Sequence, residues 1–461
     1  MPPPVSDILS GNLQGDAMKR ILLLNAVVVN DGGTTENDLF IQNGRIEKIG
    51  GALSSQQADI IIDANGKMLF PGMIDDQVHF RQPGFPRKGS IFSESRAAVA
   101  GGITSFMDMP NTKPPTLTQA LLKDKIHMAE GAAFANYAFY LGASNENIEE
   151  IKSLDPTLAC GIKLFMGAST GNMLVDDPAA LEQIFRKAPV IVAVHCEDTP
   201  TIEQNERSFR EKYGDDVPMA CHPLIRSRDA CYLSSSLAVK MSRESGAQLH
   251  LLHMSTEEEM TLLSAAPMDG KQITAEVCAH HLYFSLDDYE TKGALIKCNP
   301  AIKSAQDREA LLKALGDNRI DMVATDHAPH TLFEKKAPYF KAPSGLPLVQ
   351  HAFQSLLERY HEGRFSLPFI AEKTAHAPAR RFQLKDRGYI REGYWADLTL
   401  VDLKQPYVAD RNEILYHCGW SPFAGSTFQS TITATIVSGH LAYHEGNVDD
   451  RAMGRPLEFE R

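Results

Sequence analysis

Short apolar runs alternate with longer helix-like segments through the middle of the chain, and this pattern limits the fold more than any other feature. Eight runs end in polar residues, and they span 72–79, 103–111, 137–144, 161–167, 190–198, 249–256, 273–281 and 321–327. Such alternation favours parallel β/α units, and eight units close a (β/α)8 barrel of the TIM type. A doubly wound open sheet accepts the same alternation. We predict an α/β fold with a metal-dependent barrel catalytic domain over 71–385.

The two ends of the chain have a different pattern, with short strand-like runs and tight turns. An Asn-Gly pair at 43–44 separates two such runs, which is a strong hairpin signal, and the pair at 65–66 repeats the pattern. Strand-like runs return near the C-terminus. Because the termini of a domain often lie close together, we predict that 18–70 and 386–461 form one small composite β-sandwich domain.

Charge and cysteine content exclude several classes of function. The 46 basic and 58 acidic residues give a net charge of −12, so nucleic acid is not expected to bind by bulk electrostatics. No apolar run approaches the roughly 18 residues of a transmembrane helix, so we expect no membrane association. The seven cysteines are odd in number and form no CxxC pair, which indicates a reduced, cytoplasmic compartment. Residues 1–17 lack the pattern of a secretory signal, and we expect a disordered extension there.

Several predicted strand ends carry residues that bind metals. In a barrel, catalytic groups lie at the C-terminal ends of the strands, and there the runs place Gln77, His79, Lys163, His195, His253 and Asp326. One histidine at a strand end is more often a packed residue than a ligand. Imidazoles and a carboxylate gathered from several strand ends suit zinc or a similar divalent ion. A lysine fits among them if CO₂ has converted it to a carbamate, which is an anionic bridging ligand.

The order of motifs resembles the amidohydrolase superfamily and, within it, the dihydroorotases. The resemblance extends from about residue 23 to the C-terminal strands. Its most specific motifs are MPNT, CNPAIK and TDHAPH, whereas HFRxPG is shared with near relatives. The matching stretches are PGMIDDQVHFRQPG (71–84), GGITSFMDMPNT (101–112), GIKLFMGAS (161–169), VHCED (194–198), LHMST (252–256), CNPAIK (298–303), TDHAPH (325–330) and APSG (342–345).

This resemblance implies a zinc centre of one or two ions. Lys163 would be carbamylated and would bridge the ions. His195 and His253 would hold one ion with Lys163, whereas His79 and Asp326 would hold the other with it. Asp326 would also act as the general acid/base, passing a proton between the metal-bound hydroxide and the ring nitrogen of the substrate.

The resemblance also implies a substrate and a reaction. Arg81, Asn111 and His330 would bind the substrate carboxylate, and Asn299 would contact the pyrimidine ring. The implied reaction is the reversible cyclisation of N-carbamoyl-L-aspartate to L-dihydroorotate in de novo pyrimidine biosynthesis. The expected partner is this small molecule, and a homodimer is expected by analogy with such barrels.

Two residues depart from the family pattern and leave alternatives open. Gln77 stands where the family has the first histidine of an HxH pair, and Gln82 stands where the family often has glutamate. An amide oxygen is a poor ligand beside imidazole, so Gln77 is a doubtful ligand and the second ion would be weak or absent. The alternatives are a related cyclic amidase (allantoinase or dihydropyrimidinase) and a non-catalytic scaffold partner of aspartate transcarbamoylase.

Four further polar residues follow the runs, and we expect them to support the site rather than to bind the ions. His280 and His281 look like ligands but are expected to pack or to support neighbours. Glu197 and Asp198 are expected to orient neighbouring groups.

Overall fold

The computed structural model describes residues 18–167 and 173–461, and residues 1–17, the predicted disordered extension, lie outside the described residues. The strands in the described part are β1 (Ile21–Asn30), β2 (Gly33–Gln42), β3 (Arg45–Gly50), β4 (Ile60–Asp63), β5 (Met68–Pro71), β6 (Met73–Val78), β7 (Ile103–Asp108), β8 (Asn136–Phe139), β9 (Leu141–Gly142), β10 (Ile162–Phe165), β11 (Val192–His195), β12 (Leu249–Leu251), β13 (Ile273–Cys278), β14 (Met322–Ala324), β15 (Leu398–Asp402), β16 (Tyr407–Val408), β17 (Thr427–Phe428), β18 (Thr431–Val437), β19 (His440–His444) and β20 (Asn447–Val448).

The α-helices in the same ranges lie mainly between the strands of the middle region. They are α1 (Ile91–Ala100), α2 (Gln119–Ala129), α3 (Ile148–Lys152), α4 (Pro178–Lys187), α5 (Thr199–Tyr213), α6 (His222–Ile225), α7 (Arg228–Ser245), α8 (Ala279–Tyr283), α9 (Tyr289–Lys292), α10 (Ala305–Gly316), α11 (Leu332–Lys335), α12 (Ala352–His361), α13 (Leu367–Ala371) and α14 (Ala377–Arg381). Among these helices of the described ranges, none has the length and hydrophobicity that a membrane span requires.

The middle strands close into a parallel barrel. Strands β6, β7 and β8 form one run of neighbours, and β9 to β14 form another. A parallel bridge between Val78 and His327 joins β6 to the chain that follows β14. All eight predicted runs contain a strand, and the run at 137–144 overlaps two short ones, β8 and β9. The predicted (β/α)8 fold is therefore confirmed.

Strands from both ends of the chain share one nine-stranded sheet. Its order is β20-β19-β18-β15-β5-β1-β2-β3, with β4 paired to β1. Antiparallel pairing of β5 with β15, in which Pro71 faces Leu398, joins the two segments. The accessory β region formed by both termini is thus confirmed, whereas the boundaries 18–70, 71–385 and 386–461 stay predictions.

The two Asn-Gly pairs have the same backbone conformation but different roles. Asn43 and Gly44 have φ of 53° and 81°, and they connect the antiparallel pair β2 and β3, as a type I′ hairpin requires. Asn65 and Gly66 have φ of 50° and 77°. The strands beside them, β4 and β5, both pair in parallel with β1 at successive positions along it. The second turn therefore carries the chain along β1 and does not close a hairpin.

A buried ion pair fixes the strand ends that lead into the candidate site. Lys125 Nζ on α2 lies 2.6 Å from Asp108 Oδ2 at the end of β7, and it donates to the backbone oxygen of Met109 at 2.8 Å. The other oxygen of Asp108 accepts from the backbone N–H of Phe80 at 2.8 Å, so it holds the segment that follows β6. Breaking a buried pair of this kind costs about 3–5 kcal/mol.

Candidate active site

All ten residues predicted for the site line a single cavity of about 580 Å³ at the C-terminal ends of the barrel strands. A cavity of this size accommodates a small organic molecule. The ten residues are Gln77, His79, Arg81, Asn111, Lys163, His195, His253, Asn299, Asp326 and His330.

Two imidazoles converge in what we call the inner half of the site, which comprises Lys163, His195 and His253. His195 Nδ1 lies 2.9 Å from His253 Nε2, and both side chains are buried. His195 Nε2 lies 3.0 Å from Glu197 Oε2. Because a carboxylate only accepts, His195 donates from Nε2, and its Nδ1 lone pair faces His253. A carboxylate behind an imidazole in this way is the usual support of a metal-binding histidine.

Glu197 is held in its charged form by two neighbours. Arg226 Nη1 donates to Glu197 Oε2 at 2.7 Å. Burial of this carboxyl group opposes ionisation, but the Arg226 charge and the hydrogen bond from His195 outweigh it and lower the pKa of Glu197 to about 2. Glu197 thus orients His195 as expected, whereas Asp198 has a different role and caps α5 by accepting from the backbone N–H of Thr201 at 3.0 Å.

Lys163 lies on β10 with its side chain buried. Its Nζ lies 4.5 Å from the centroid of the Phe165 ring. Burial lowers the pKa of Lys163 to about 8, although Asp326 and Glu276 partly oppose this shift. A larger fraction of the amine is therefore neutral than in an exposed lysine, and the neutral amine is the form that adds CO₂.

Three side chains meet in the outer half of the site, which comprises Gln77, His79 and Asp326. His79 Nε2 lies 3.1 Å from Asp326 Oδ1, and His79 Nδ1 lies 2.8 Å from Asn111 Oδ1. The Gln77 side chain donates from Nε2 to the same Asp326 Oδ1 at 3.2 Å. Its Oε1 lies 3.8 Å from the Cys278 sulfur, so the amide nitrogen of Gln77, not its oxygen, faces Asp326.

The donor set fits a divalent metal ion. His253 Nδ1 is buried and has no hydrogen-bond partner in the part of the chain that the structure describes. His253 and Asp326 also have left-handed backbone conformations, with φ of 42° and 50°, which cost energy for residues other than glycine and often mark functional sites. Imidazole nitrogens with a carboxylate are ligands that zinc accepts.

The opposite end of the cavity is cationic. The Arg81 side chain donates from Nε to the backbone oxygen of Pro329 at 3.1 Å, and Arg81 is only 9% exposed. Burial lowers the pKa of Arg81 to about 10, so the guanidinium stays charged at neutral pH. Among residues 18–167 and 173–461, no carboxylate forms an ion pair with Arg81.

His330 lies between Arg81 and a second cation, Lys88. Its Nε2 is 3.0 Å from the backbone oxygen of Ser344 and 3.1 Å from Arg81 Nη2, while its Nδ1 is 2.9 Å from Lys88 Nζ. The Ser344 carbonyl oxygen can only accept, and the Lys88 ammonium group can only donate. His330 therefore donates from Nε2 and accepts at Nδ1. Burial, helped by Arg81 and Lys88, lowers the pKa of His330 well below its usual range.

Lys88 is a cavity residue that the sequence argument missed. It lies in the loop before α1, it lines the cavity, and it pairs with Glu334 on α11 at 3.0 Å. No strand end or metal-ligand spacing marks it. The only available signal was its position a few residues after the HFRQPG stretch.

Asn299 lines the cavity, and its buried Oδ1 has no hydrogen-bond partner within the described ranges. His280 and His281 do not line the cavity. Their rings stack tilted against each other, with centroids 4.1 Å apart, and His281 Nε2 lies 3.1 Å from the backbone oxygen of Pro300.

Comparisons with known proteins agree on the family. The model of the amidohydrolase family matches residues 68–442. A dihydroorotase from Halobacterium salinarum is 36% identical over 406 residues, covering 87% of this chain and 92% of the relative. An allantoinase from Desulfitobacterium hafniense is 30% identical over 445 residues, covering 95% and 98%. The solved structure of an L-hydantoinase (dihydropyrimidinase) from Arthrobacter aurescens has a TM-score of 0.90 at 26% identity, covering 96% of this chain and all of that one. The chain belongs to the amidohydrolase family.

Proposed function

We propose that this protein is a dihydroorotase, a cyclic amide hydrolase that interconverts N-carbamoyl-L-aspartate and L-dihydroorotate. One observation carries the choice of substrate: Arg81 is buried, charged and without an ion-pair partner among the described residues, in the same cavity as Asp326. A buried unpaired charge is costly. A substrate carboxylate would compensate it, and L-dihydroorotate carries a carboxylate beside its cyclic amide.

The groups around Arg81 support this assignment. His330 Nε2 and Arg81 Nη2 are both donors, and they lie 3.1 Å apart. Because the Nε2 proton goes to the backbone oxygen of Ser344, His330 offers no acceptor to Arg81 Nη2, and a substrate oxygen would supply one. An arginine fork suits a carboxylate in two-point contact. Lys88 donates to His330 Nδ1 from the far side and so keeps the Nε2 proton in place, while Glu334 balances the Lys88 charge. Allantoin and dihydrouracil have no carboxylate to use these groups.

The inner half, His195, His253 and carbamylated Lys163, would hold a zinc ion, and His79 with Asp326 would hold a weaker second one. Bound there, the metal would supply Lewis-acid polarisation of the amide carbonyl and activation of a water molecule.

The reaction itself needs a proton to be moved from water to the ring nitrogen. In ring opening, water adds to the amide carbonyl, the C–N bond breaks, and the nitrogen takes a proton. Asp326 would accept the proton from water and deliver it to that nitrogen, and the reverse transfers apply to ring closure. The His79 and Gln77 contacts hold its Oδ1 in place, while Asn299 Oδ1 would accept from a ring N–H.

The test is turnover of L-dihydroorotate, allantoin and dihydrouracil by the zinc-loaded protein, with Arg81→Ala compared with wild type. We expect wild type to turn over dihydroorotate selectively. In Arg81→Ala, we expect KM for dihydroorotate to rise about tenfold to a hundredfold, because the variant loses one charge-assisted contact with the substrate. Arg87→Ala is the matched control, since Arg87 is an exposed arginine of the same loop.

Two results would overturn the proposal. Preferred turnover of allantoin or dihydrouracil, unaffected by Arg81→Ala, would assign one of the related cyclic amidases. Zinc binding without turnover of any of the three substrates would favour a scaffold that lacks catalysis.

A further inference from the structure

We propose that Asp76, His250 and Glu276 form a second, separate metal site inside the barrel, which binds a divalent transition-metal ion such as zinc. The three residues lie on β6, β12 and β13. All three are fully buried, and none of them lines the cavity described above.

The distances within this cluster, which we call the barrel triad, suit chelation. His250 Nε2 lies 3.2 Å from Asp76 Oδ2 and 3.1 Å from Glu276 Oε2. One ligand atom from each residue lies within 4.8 Å of the others. Zinc bonds of about 2.0–2.2 Å in tetrahedral geometry place neighbouring ligand atoms roughly 3.3–3.6 Å apart, so small side-chain shifts would admit the ion.

A second observation is that Asp76 accepts no hydrogen bond of good geometry as a carboxylate, although His250 Nε2 and the Glu276 carboxyl group lie beside it. Neither side-chain oxygen of Asp76 has a hydrogen-bond partner of that geometry in the described part of the chain, although the residue is wholly buried. Buried polar groups are nearly always satisfied. In the same part of the chain, no lysine or arginine forms an ion pair with Asp76 or Glu276.

The hydrogen bond behind His250 supports the same conclusion. His250 Nδ1 lies 2.8 Å from Thr274 Oγ1, and the Thr274 hydroxyl can donate to the backbone oxygen of Leu249 at 3.4 Å. If Thr274 donates there, its oxygen accepts from His250 Nδ1, and the Nε2 lone pair faces two carboxylates. Metal-bound histidines are held in this way by the nitrogen that does not bind the ion.

Charge balance also favours a divalent ion. Two carboxylates and a neutral imidazole carry a charge of −2, which one divalent cation cancels. One nitrogen and two oxygen ligands suit zinc, manganese or iron. The competing arrangement is protonation, with a proton shared by the carboxyl groups and another on His250, and it needs no metal.

The experiment is anomalous diffraction at the zinc edge from crystals of the full-length protein loaded with zinc. We expect a peak within bonding distance of His250 Nε2, Asp76 and Glu276, separate from any peak at His195 and His253. A structure with zinc at the catalytic cavity but no peak at the barrel triad would overturn the proposal. This result does not depend on turnover of any substrate.

Metal analysis provides a second measurement. Asp76→Asn is expected to bind one zinc fewer per chain than wild type, whereas Glu259→Gln is expected to bind the same number. Glu259 is a matched control because it is also a buried carboxylate, but its oxygens accept hydrogen bonds from Ser235 and Thr256. Equal zinc content in wild type and Asp76→Asn would contradict the site, and if Asp76→Asn does not fold, the wild-type diffraction decides.

Discussion

The inner and outer halves of the candidate site differ in what fixes their geometry. In the inner half, His195 is held by the charged Glu197, which is itself paired with Arg226. In the outer half, His79 is held by the uncharged Asn111, and the place of a second imidazole is taken by an amide. Charge-assisted hydrogen bonds are about twice as strong as neutral ones. Under the proposed function, the inner half would hold an ion firmly, and the outer half would hold a carboxylate that exchanges protons.

The largest effect is expected for Asp326→Asn. The amide cannot take or deliver a proton, and loss of a general acid/base typically lowers the rate about 10²- to 10⁴-fold. We expect kcat for dihydroorotate to fall by this factor. Zinc in the inner half should remain, because neither His195 nor His253 forms a hydrogen bond with Asp326 in the part of the chain that the structure describes. Steady-state kinetics with parallel zinc analysis test this prediction. If kcat falls by less than tenfold, Asp326 is not the proton-transfer group.

A smaller effect is expected for Glu197→Gln, which removes the charge behind His195. Mutation of such a supporting group typically costs 10- to 100-fold in metal affinity. Zinc affinity should fall by this range, and activity should return at high zinc. Competition with a chelator measures the affinity.

The control for this variant is Asp198→Asn, because Asn also caps helices and Asp198 caps α5 without touching the histidines. If Asp198→Asn lowers the zinc affinity as much as Glu197→Gln does, the hydrogen bond from His195 to Glu197 is not what gives the inner half its zinc affinity.

The sequence was sufficient to predict the barrel and to predict that the candidate residues at strand ends share one cavity, for a physical reason. Parallel strands have a common C-terminal edge, so residues that end separate runs, such as His79, His195 and Asp326, must gather there. Six of the ten cavity residues follow from this rule. The other four were predicted from the resemblance to dihydroorotases, and they are Arg81, Asn111, Asn299 and His330.

Other features could not be read from the sequence because they depend on distant contacts. The turn at Asn65 looks locally like a hairpin, but the pairing of its flanking strands is decided by β1. Lys88 reaches the site from a loop whose path no periodic pattern encodes. The barrel triad joins residues from three strands, and a buried Asp or Glu inside a strand has no motif of its own.

The smallest effect is expected for Gln77→His, which would make the two halves more alike. The imidazole would replace an amide that donates to Asp326 Oδ1 at 3.2 Å and would offer a better ligand to a second ion. We expect a second zinc to bind more tightly, by about tenfold, if the new ligand adds roughly 1.4 kcal/mol. The change in kcat should be smaller, because His79 still contacts Asp326.

Titration of zinc into the metal-free variant measures this change, and Gln82→Glu is the matched control. Gln82 is the other departure from the family pattern, but its Oε1 accepts from the backbone N–H of Ile91 at 3.0 Å, so glutamate there can keep the bond and should leave zinc binding unchanged. If Gln77→His binds zinc no better than wild type, the weakness of the outer half has another cause. The neutral support of His79 by Asn111 would then be the difference that separates the two halves.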